Sequence, residues 1–146
     1  LIASWPGRIP AGRVNTDLIG SVDFLPTLCA VAGAAVPASL RIDGRSFLPQ
    51  LLGQKGEPRE SLYLWYARNG GPKATYEFAQ STTHKLYRDG TFFDLTADPF
   101  EKNPRKAADL TGAAAAAAKK LQATLDQYAK ARPAHLMQPA KAPKKK

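Results

Sequence analysis

The chain has 146 residues, 44% of them hydrophobic, and a formal net charge of +9. This length suits about one domain with a real core, and the absence of any run of about 18 apolar residues predicts no membrane span. A single cysteine, Cys29, excludes an internal disulfide and most thiolate metal sites.

The positive charge raises the question of a polyanionic partner. Basic residues crowd the end of the chain, at Arg132, Lys141 and 144–146, among prolines with little to bury. This composition predicts a disordered, solvated tail over 133–146. Elsewhere no stripe of basic residues alternates with aromatic ones, so we do not expect nucleic acid as the partner.

The N-terminal part predicts a strand, a loop and a helix. Residues 1–5 are apolar and predict the end of a buried strand. Residues 23–32 predict a helix that Asp23 caps and Gly33 ends. Its apolar stripe, at the i, i+3, i+4, i+7 spacing, is Leu25, Leu28, Cys29 and Ala32. This stripe predicts a buried face, with Cys29 as a small apolar member of it.

The middle of the chain predicts short strands. Ser46 is expected to cap a helical turn over 47–52, which Gly53 closes. Residues 62–66 consist of leucine and aromatic residues and predict a strand. Residues 74–80 predict a further strand, with Tyr76 and Phe78 on one side and Thr75 and Glu77 on the other. Together with the hairpin that follows, they predict three or four short, mostly antiparallel strands.

A hairpin over residues 84–95 follows. Asp89-Gly90 predicts a type I′ turn between two strands, because that turn requires positive φ. Pro99 then stops the sheet, since proline cannot donate to a ladder.

The C-terminal part predicts a helix that begins near Thr111 and ends at Pro133. Its narrow apolar stripe consists of Leu121, Leu125 and Tyr128, which we expect to lie across the sheet. An amphipathic membrane helix is disfavoured, because the apolar face is thin and dominated by alanine.

No pattern of a self-contained active site is present. The sequence lacks HxxxH, HExxH and CxxC spacings and the glycine-rich phosphate loops. Four acidic residues lie close together at Asp89, Asp94, Asp98 and Glu101. They lack the alternating ligand pattern of an EF-hand, and capping of nearby backbone explains them more simply. The residues alone therefore predict a small α+β unit.

Four separated stretches, in order, resemble the C-terminal end of the formylglycine-dependent, arylsulfatase-type sulfatase family in its bacterial style. They are LIASWPGRIPAG at 1–12, SVDFLPTL with AG at 21–33, DGRSFLPQLLG at 43–53, and KLY, FDL and DPFEKN within 85–103. Phe93 stands where the family more often has tyrosine.

The resemblance implies a fold and a domain organisation. Residues 1–36 would be the last strand and helix of a large α/β, alkaline-phosphatase-like sulfatase domain. Residues 37–132 would form the C-terminal subdomain, a small antiparallel sheet with a packed helix, followed by the tail at 133–146. Because the chain also starts without methionine and in mid-strand, we expect a fragment of a longer enzyme.

The resemblance also implies the chemistry of the parent enzyme. Its formylglycine, made from a C/S-x-P-x-R motif, and its calcium ligands would lie upstream of Leu1. Cys29 is followed by Ala30-Val31-Ala32 and is not that nucleophile. We therefore expect no catalytic and no metal residue in this chain, and inactivity of the chain alone.

The C-terminal subdomain of this family borders the substrate cleft. This predicts His84 and Lys85 as substrate-binding residues, since a cation there suits a sulfated ligand. The alternative is a solvated lysine that extends along the surface and a surface histidine.

The sequence thus predicts a sulfuric ester hydrolase fragment, with the missing catalytic domain and a sulfated small molecule or polysaccharide as partners. The family implies a periplasmic or secreted location. The alternative hypothesis is a basic module that binds an acidic polymer, either a sulfated glycan or nucleic acid.

Overall fold

The computed structural model describes residues 1–67 and 75–132. The chain divides into two compact units, Leu1–Glu60 and Ser61–Lys146, here called the N-terminal unit and the C-terminal unit. The N-terminal unit includes residues 37–60, and the assignment of residues 37–132 to a C-terminal subdomain stays a prediction. The assignment of residues 1–36 to a larger domain stays a prediction. None of the described helices is long and apolar enough to cross a membrane.

The regular structure described in the N-terminal unit is helical. A 3-10 turn spans Ser21–Asp23, helix α1 spans Phe24–Val31 and helix α2 spans Leu48–Leu51. Residues 1–5 form no strand, contrary to the prediction, and Ile2 is 97% exposed. A strand needs a neighbouring ladder for its backbone groups, and all the strands described lie between residues 62 and 106.

Helix α1 has nearly the predicted bounds but a different buried face. Leu25 is 48% exposed and Leu28 is 63% exposed, while Cys29 is half-buried. The prediction that this stripe is buried is therefore wrong for this chain. The covered side carries Pro26 and Thr27 instead. Gly33 follows the helix with a φ of 67°, as predicted for a glycine after a helix end.

The α2 helix lies within the predicted turn, but its N-cap is Phe47 and not the predicted Ser46. The Leu48 N–H donates to Ser46 Oγ at 3.3 Å, and Gly53 has a φ of 77° where the turn ends. Because a positive φ is favourable only for glycine, Gly53 fits this position.

The C-terminal unit contains one antiparallel sheet in the order β1-β2-β3-β4-β5. The strands span Leu62–Ala67, Thr75–Gln80, His84–Tyr87, Thr91–Asp94 and Arg105–Lys106. The first four were predicted. The two-residue strand β5 was missed, because a strand of that length has no periodicity in the sequence.

The β3–β4 hairpin has a different loop from the predicted one. Gly90 has a φ of 87°, whereas Asp89 is not among the residues with positive φ, so the turn is not type I′. The Gly90 N–H donates to the Tyr87 carbonyl at 3.0 Å. The strands are thus joined by a three-residue loop that ends in a left-handed glycine.

Helix α3 spans Gly112–Gln127 and packs on one face of the sheet. Thr111 lies at the N-cap but makes no side-chain cap hydrogen bond. The core joins helix residues to sheet residues, namely Ala118, Leu121 and Leu125 with Ala79, Leu86 and Phe92. The helix ends at Gln127, six residues before the predicted stop at Pro133, and Pro133 and the tail lie outside the described residues.

Candidate functional site

The two predicted substrate residues are neighbours on β3, and their side chains therefore lie on opposite faces of the sheet. His84 lies beside Phe92 on the face that α3 covers, here called the helix face, with ring centres 5.3 Å apart. Its Nδ1 is 2.8 Å from Thr83 Oγ1. Lys85 lies on the other face, here called the outer face, and is only 8% exposed.

Lys85 forms a compact group with two neighbours, here called the Lys85 cluster: Lys85, Tyr87 and Glu101. The Lys85 ammonium is 2.6 Å from Glu101 Oε1, and the Tyr87 hydroxyl donates to Glu101 Oε2 at 2.6 Å. The same ammonium lies 3.9 Å from the centre of the Phe78 ring, a cation–π distance. Lys85 is therefore an ion-paired lysine and not a solvated one.

The backbone brings Glu101 to this place through a tight turn. The Glu101 N–H donates to the Asp98 carbonyl at 3.2 Å, and the Asp98 carboxylate accepts the Asn103 N–H at 2.7 Å. Glu101 has a φ of 54°, the one positive value among the described residues other than glycine. This backbone conformation is uncommon for a residue with a side chain of its size. The two hydrogen bonds to the Glu101 carboxylate offset the free-energy cost of that conformation.

The electrostatics of the Lys85 cluster favour the charged pair. Burial works against the ammonium, but the hydrogen bonds to Glu101 and Tyr87 outweigh it and raise the pKa of Lys85. Burial likewise works against the carboxylate, but hydrogen bonds from Lys85 and Tyr87 lower the pKa of Glu101. Both groups therefore stay ionised at neutral pH.

A cleft of about 510 Å³ opens beside the Lys85 cluster at the hairpin end of the sheet. Its aromatic walls are Tyr76, Tyr87 and Phe93, and its charged groups are Arg88, Arg132, Glu77, Asp89 and Glu101. Two guanidinium groups face three carboxylates, so the cleft is close to neutral and its charge does not by itself select an anion.

A second ion-paired group lies on the helix face, between β2 and β3. Arg88 Nη2 is 2.7 Å from Glu77 Oε1 and also donates to the Leu125 carbonyl at 2.6 Å. The Tyr63 hydroxyl donates to Glu77 Oε1 at 3.0 Å, and burial with this hydrogen bond raises the pKa of Tyr63 to about 12. The group ties the sheet to the end of α3.

In the N-terminal unit the buried acidic group is Asp23, which was predicted as a helix cap. Its side chain does not cap α1. Asp23 Oδ1 accepts the Arg45 N–H at 2.7 Å and pairs with Arg59, while Oδ2 accepts the Gly20 N–H at 2.8 Å. Although burial opposes the charge, these donors lower the pKa of Asp23.

Thr27 continues this network, since its hydroxyl donates to the Asp23 carbonyl at 2.6 Å and accepts the Phe47 N–H at 3.0 Å. We call the set Asp23, Thr27, Arg45, Phe47 and Arg59 the Asp23 cluster. It joins the second and third sequence motifs and gives Asp23 and Thr27 a structural role. Gly44 belongs to the same contact, because a Cβ there would lie 2.0 Å from the Val22 carbonyl oxygen.

The described residues contain no group of three or more histidine, cysteine, aspartate or glutamate side chains that could hold a metal ion. The calcium implied by the family thus finds no fitting donor set in the part of the chain that the structure describes. Cys29 carries neither the C/S-x-P-x-R context nor a metal partner there.

A family described as "N-sulphoglucosamine sulphohydrolase, C-terminal" matches residues 1–131 of this chain. The chain belongs to this sulfatase family. The match confirms the family that the four motifs indicated, and it extends past the end of α3 at Gln127.

Curated relatives with sulfatase names support this membership. The chain is 36% identical to human arylsulfatase A over 108 residues, which is 67% of this chain and 19% of that protein. It is 42% identical to mouse arylsulfatase G over 87 residues, or 60% of this chain and 16% of that protein. The chain thus spans about a fifth of the length of these relatives.

Solved structures confirm the fold. A candidate sulfatase from Bacteroides thetaiotaomicron VPI-5482 matches 73% of this chain and 23% of its own, with 27% identity and a TM-score of 0.54. Another structure, a complex with its substrate D-glucosamine-2-N,6-O-disulfate, matches 76% of this chain and 24% of its own, with 26% identity and a TM-score of 0.53.

The assignment of His84 and Lys85 to substrate binding stays a prediction. Glu101 lies within the DPFEKN motif, but its ion pair with Lys85 was not predicted. The available signal was a lysine two residues before a tyrosine on one strand, since residues i and i+2 share a face. The contact between Lys85 and Glu101, which are 16 residues apart in the chain, could not be predicted from residue spacing.

Proposed function

We propose that this chain serves as the C-terminal part of a sulfuric ester hydrolase of the arylsulfatase type. The observation that carries the proposal is the family match over residues 1–131 together with the fifth of each relative's length that the chain spans. The remaining four fifths of such a protein would hold the catalytic centre. The chain by itself would then be inactive.

The formylglycine nucleophile and the calcium ion belong, in this proposal, to that remaining part. The described residues offer neither a fitting metal donor set nor the sequence motif of the nucleophile. No step of sulfate ester hydrolysis is therefore assigned to a residue of this chain.

The N-terminal unit supports the proposal through its exposed apolar side chains. Leu25, Leu28 and Val31 are 36–63% exposed along one side of α1, next to Phe24, whose ring packs edge-on against Phe47. A 100° rotation per residue places them within about a third of the helix circumference. Thr27, which lies outside this stripe, belongs to the Asp23 cluster. We propose that the exposed side contacts the catalytic part of the enzyme, because uncovered apolar stripes of this kind mark contact surfaces.

A sulfated sugar is the substrate class that we propose. One structure similar to this chain holds D-glucosamine-2-N,6-O-disulfate. His84 and Lys85 remain the proposed residues through which this unit affects substrate binding. Since the ammonium of Lys85 is paired with Glu101, we propose that Lys85 acts by positioning the turn around Glu101. A periplasmic or secreted location is part of the same proposal.

The net charge of +9 favours one second candidate, a module that binds an acidic polymer through the basic residues near the chain end. Deletion of residues 133–146 separates the two functions. Salt-sensitive binding to heparin that disappears with the deletion would support the module. Hydrolysis by the parent enzyme is expected to survive the deletion.

A chimaera tests the proposed function. The host is the relative solved with D-glucosamine-2-N,6-O-disulfate, whose matching 24% is replaced by this chain. We expect the chimaera to release inorganic sulfate from that sugar, and the truncated host and this chain alone to release none. A folded chimaera without sulfate release would overturn the proposal.

The DNA upstream of the Leu1 codon gives an independent test. We expect an open frame that encodes C/S-x-P-x-R and paired acidic calcium ligands. A start codon immediately before Leu1 would argue against the proposal and favour the binding module.

A further inference from the structure

The two edges of the five-stranded sheet differ in their protection against pairing with another strand. Strand β5 has two residues, Arg105 and Lys106, both exposed, and it follows Pro104. Short length, basic side chains and proline are the usual means by which an edge avoids a partner. Strand β1 has six residues, LYLWYA, with no charge and no proline. Only one edge of this sheet is therefore built to stay unpaired.

The register identifies the backbone groups that β1 directs outward. The Arg88 N–H donates to the Glu77 carbonyl at 2.9 Å, so the backbone groups of Glu77 face β3. Alternation along an antiparallel strand then directs the groups of Tyr76 towards β1, where they meet Tyr66. The outward groups belong to the alternate residues of β1: Tyr63, Trp65 and Ala67.

These outward N–H and C=O groups have no hydrogen-bond partner among the described residues. Apolar side chains flank the same edge on the outer face, where Leu64 is 45% exposed and Tyr66 is 54% exposed. An incoming strand would thus find both a ladder of backbone partners and side chains to pack against, the two requirements for strand addition.

We propose that the outer edge of β1 receives an extended, uncharged strand from the rest of the sulfatase, which makes the sheet six-stranded. This inference rests on the proposed function. The occupant follows from two facts. About four fifths of the length of the relatives lies outside the matched region. A second copy of this chain carries the same charge of +9 and is repelled.

Amide hydrogen exchange tests the edge in the chimaera described above, with the isolated chain for comparison. We expect the amides of Tyr63, Trp65 and Ala67 to exchange at least about tenfold more slowly in the chimaera, because pairing protects them. The inward amides of Leu64 and Tyr66 serve as internal controls, protected in both proteins. Equal exchange of the outward amides in both proteins would overturn the proposal.

Sulfate release is read separately in the same chimaera. An active chimaera with unprotected outward amides would leave the proposed function standing and reject the edge pairing. Slow, concentration-dependent exchange of these amides in the isolated chain, with a dimer in sedimentation, would also reject it, since a second copy would then be the occupant.

A substitution pair provides the second measurement. Ala67→Pro removes an outward donor and leaves the β1–β2 ladder intact, as proline does at an edge. We expect A67P to lower the midpoint of thermal unfolding of the chimaera but not of the isolated chain, whereas Ala67→Ser changes neither. An equal loss in both proteins would contradict the proposal.

Discussion

The two compact units differ in how much of their buried interior is apolar. Of the nine buried hydrophobic residues in the described part of the chain, only Phe47 belongs to the N-terminal unit. That unit buries Asp23 and Thr27 and exposes Leu25 and Leu28. In the C-terminal unit, α3 packs on the sheet and the apolar side chains between them are buried. A unit held by a polar cluster, with its apolar side chains outside, is suited to being covered by further protein, whereas the C-terminal unit has its own core.

The largest effect is expected from a change in the core of the C-terminal unit. Leu125 is fully buried, so Leu125→Ala leaves a cavity and should cost about 2–5 kcal/mol of unfolding free energy. Urea unfolding of the full chain measures this loss. The matched control is Leu28→Ala, where the leucine is 63% exposed and the expected change is below about 0.5 kcal/mol. Equal losses would mean that the two units do not differ as described.

The next effect concerns the polar cluster of the N-terminal unit. Asp23→Asn keeps the shape of the side chain but removes the charge that Arg59 and two backbone N–H groups share. The expected cost is about 2–4 kcal/mol, confined to this unit. Faster hydrogen exchange of the Arg45 amide in the variant would measure this loss of stability. The control is Asp43→Asn, because Asp43 is exposed. Faster exchange of the Arg45 amide in this control, or faster exchange of the core amides around Leu125 in Asp23→Asn, would contradict the prediction.

Alkaline pH should distinguish the two units, whereas acid pH should weaken both. The pKa of Asp23 is lowered, so its contribution is present above about pH 4 and is lost as the pH falls through the lowered value. Glu101 behaves in the same way. The pKa of Lys85 is raised above 10.5, so the contribution of its ion pair is present below that pH and lost above it.

Only the C-terminal unit should therefore weaken at alkaline pH, because the Arg59 of the other cluster does not deprotonate. Tyr63 adds to this loss, since its pKa of about 12 disfavours the tyrosinate in the folded state. Amide exchange of each unit at pH 7 and pH 11 tests the prediction. Equal weakening of both units would refute it.

The smallest effect is expected from a single hydroxyl. Tyr63→Phe removes the hydrogen bond to Glu77 but keeps the ring stacked on Tyr128, with ring centres 4.7 Å apart. The expected loss is about 1 kcal/mol in urea unfolding. Tyr66→Phe is the matched control, because Tyr66 is 54% exposed, and its effect should be negligible. A larger loss from Tyr66→Phe would show that the outer face is more covered than described.

Local signals predicted most of the secondary structure. The alternating strands, the glycines after α1 and α2, and the Leu121 and Leu125 stripe of α3 all lie where the sequence placed them. Helix and strand periodicity and the preference of glycine for positive φ depend on residues close in sequence. They can therefore be recognised from the sequence without knowledge of the tertiary structure. The hairpin loop was misjudged because Asp89-Gly90 suits more than one loop length.

The motifs determined the family by themselves, and the family match over residues 1–131 confirms it. Only the tertiary structure decided what their polar residues do. Asp23 holds Arg45 and Arg59 across 22 and 36 residues, and Lys85 holds Glu101 across 16. Such contacts arise from chain reversals that bring a carboxylate to a distant cation, as at Arg59 and Lys85, or to a distant backbone N–H, as at Arg45, and no local period encodes them. The same reason applies to α1, whose apolar stripe is legible in sequence, whereas its exposure depends on which parts of the chain pack against it.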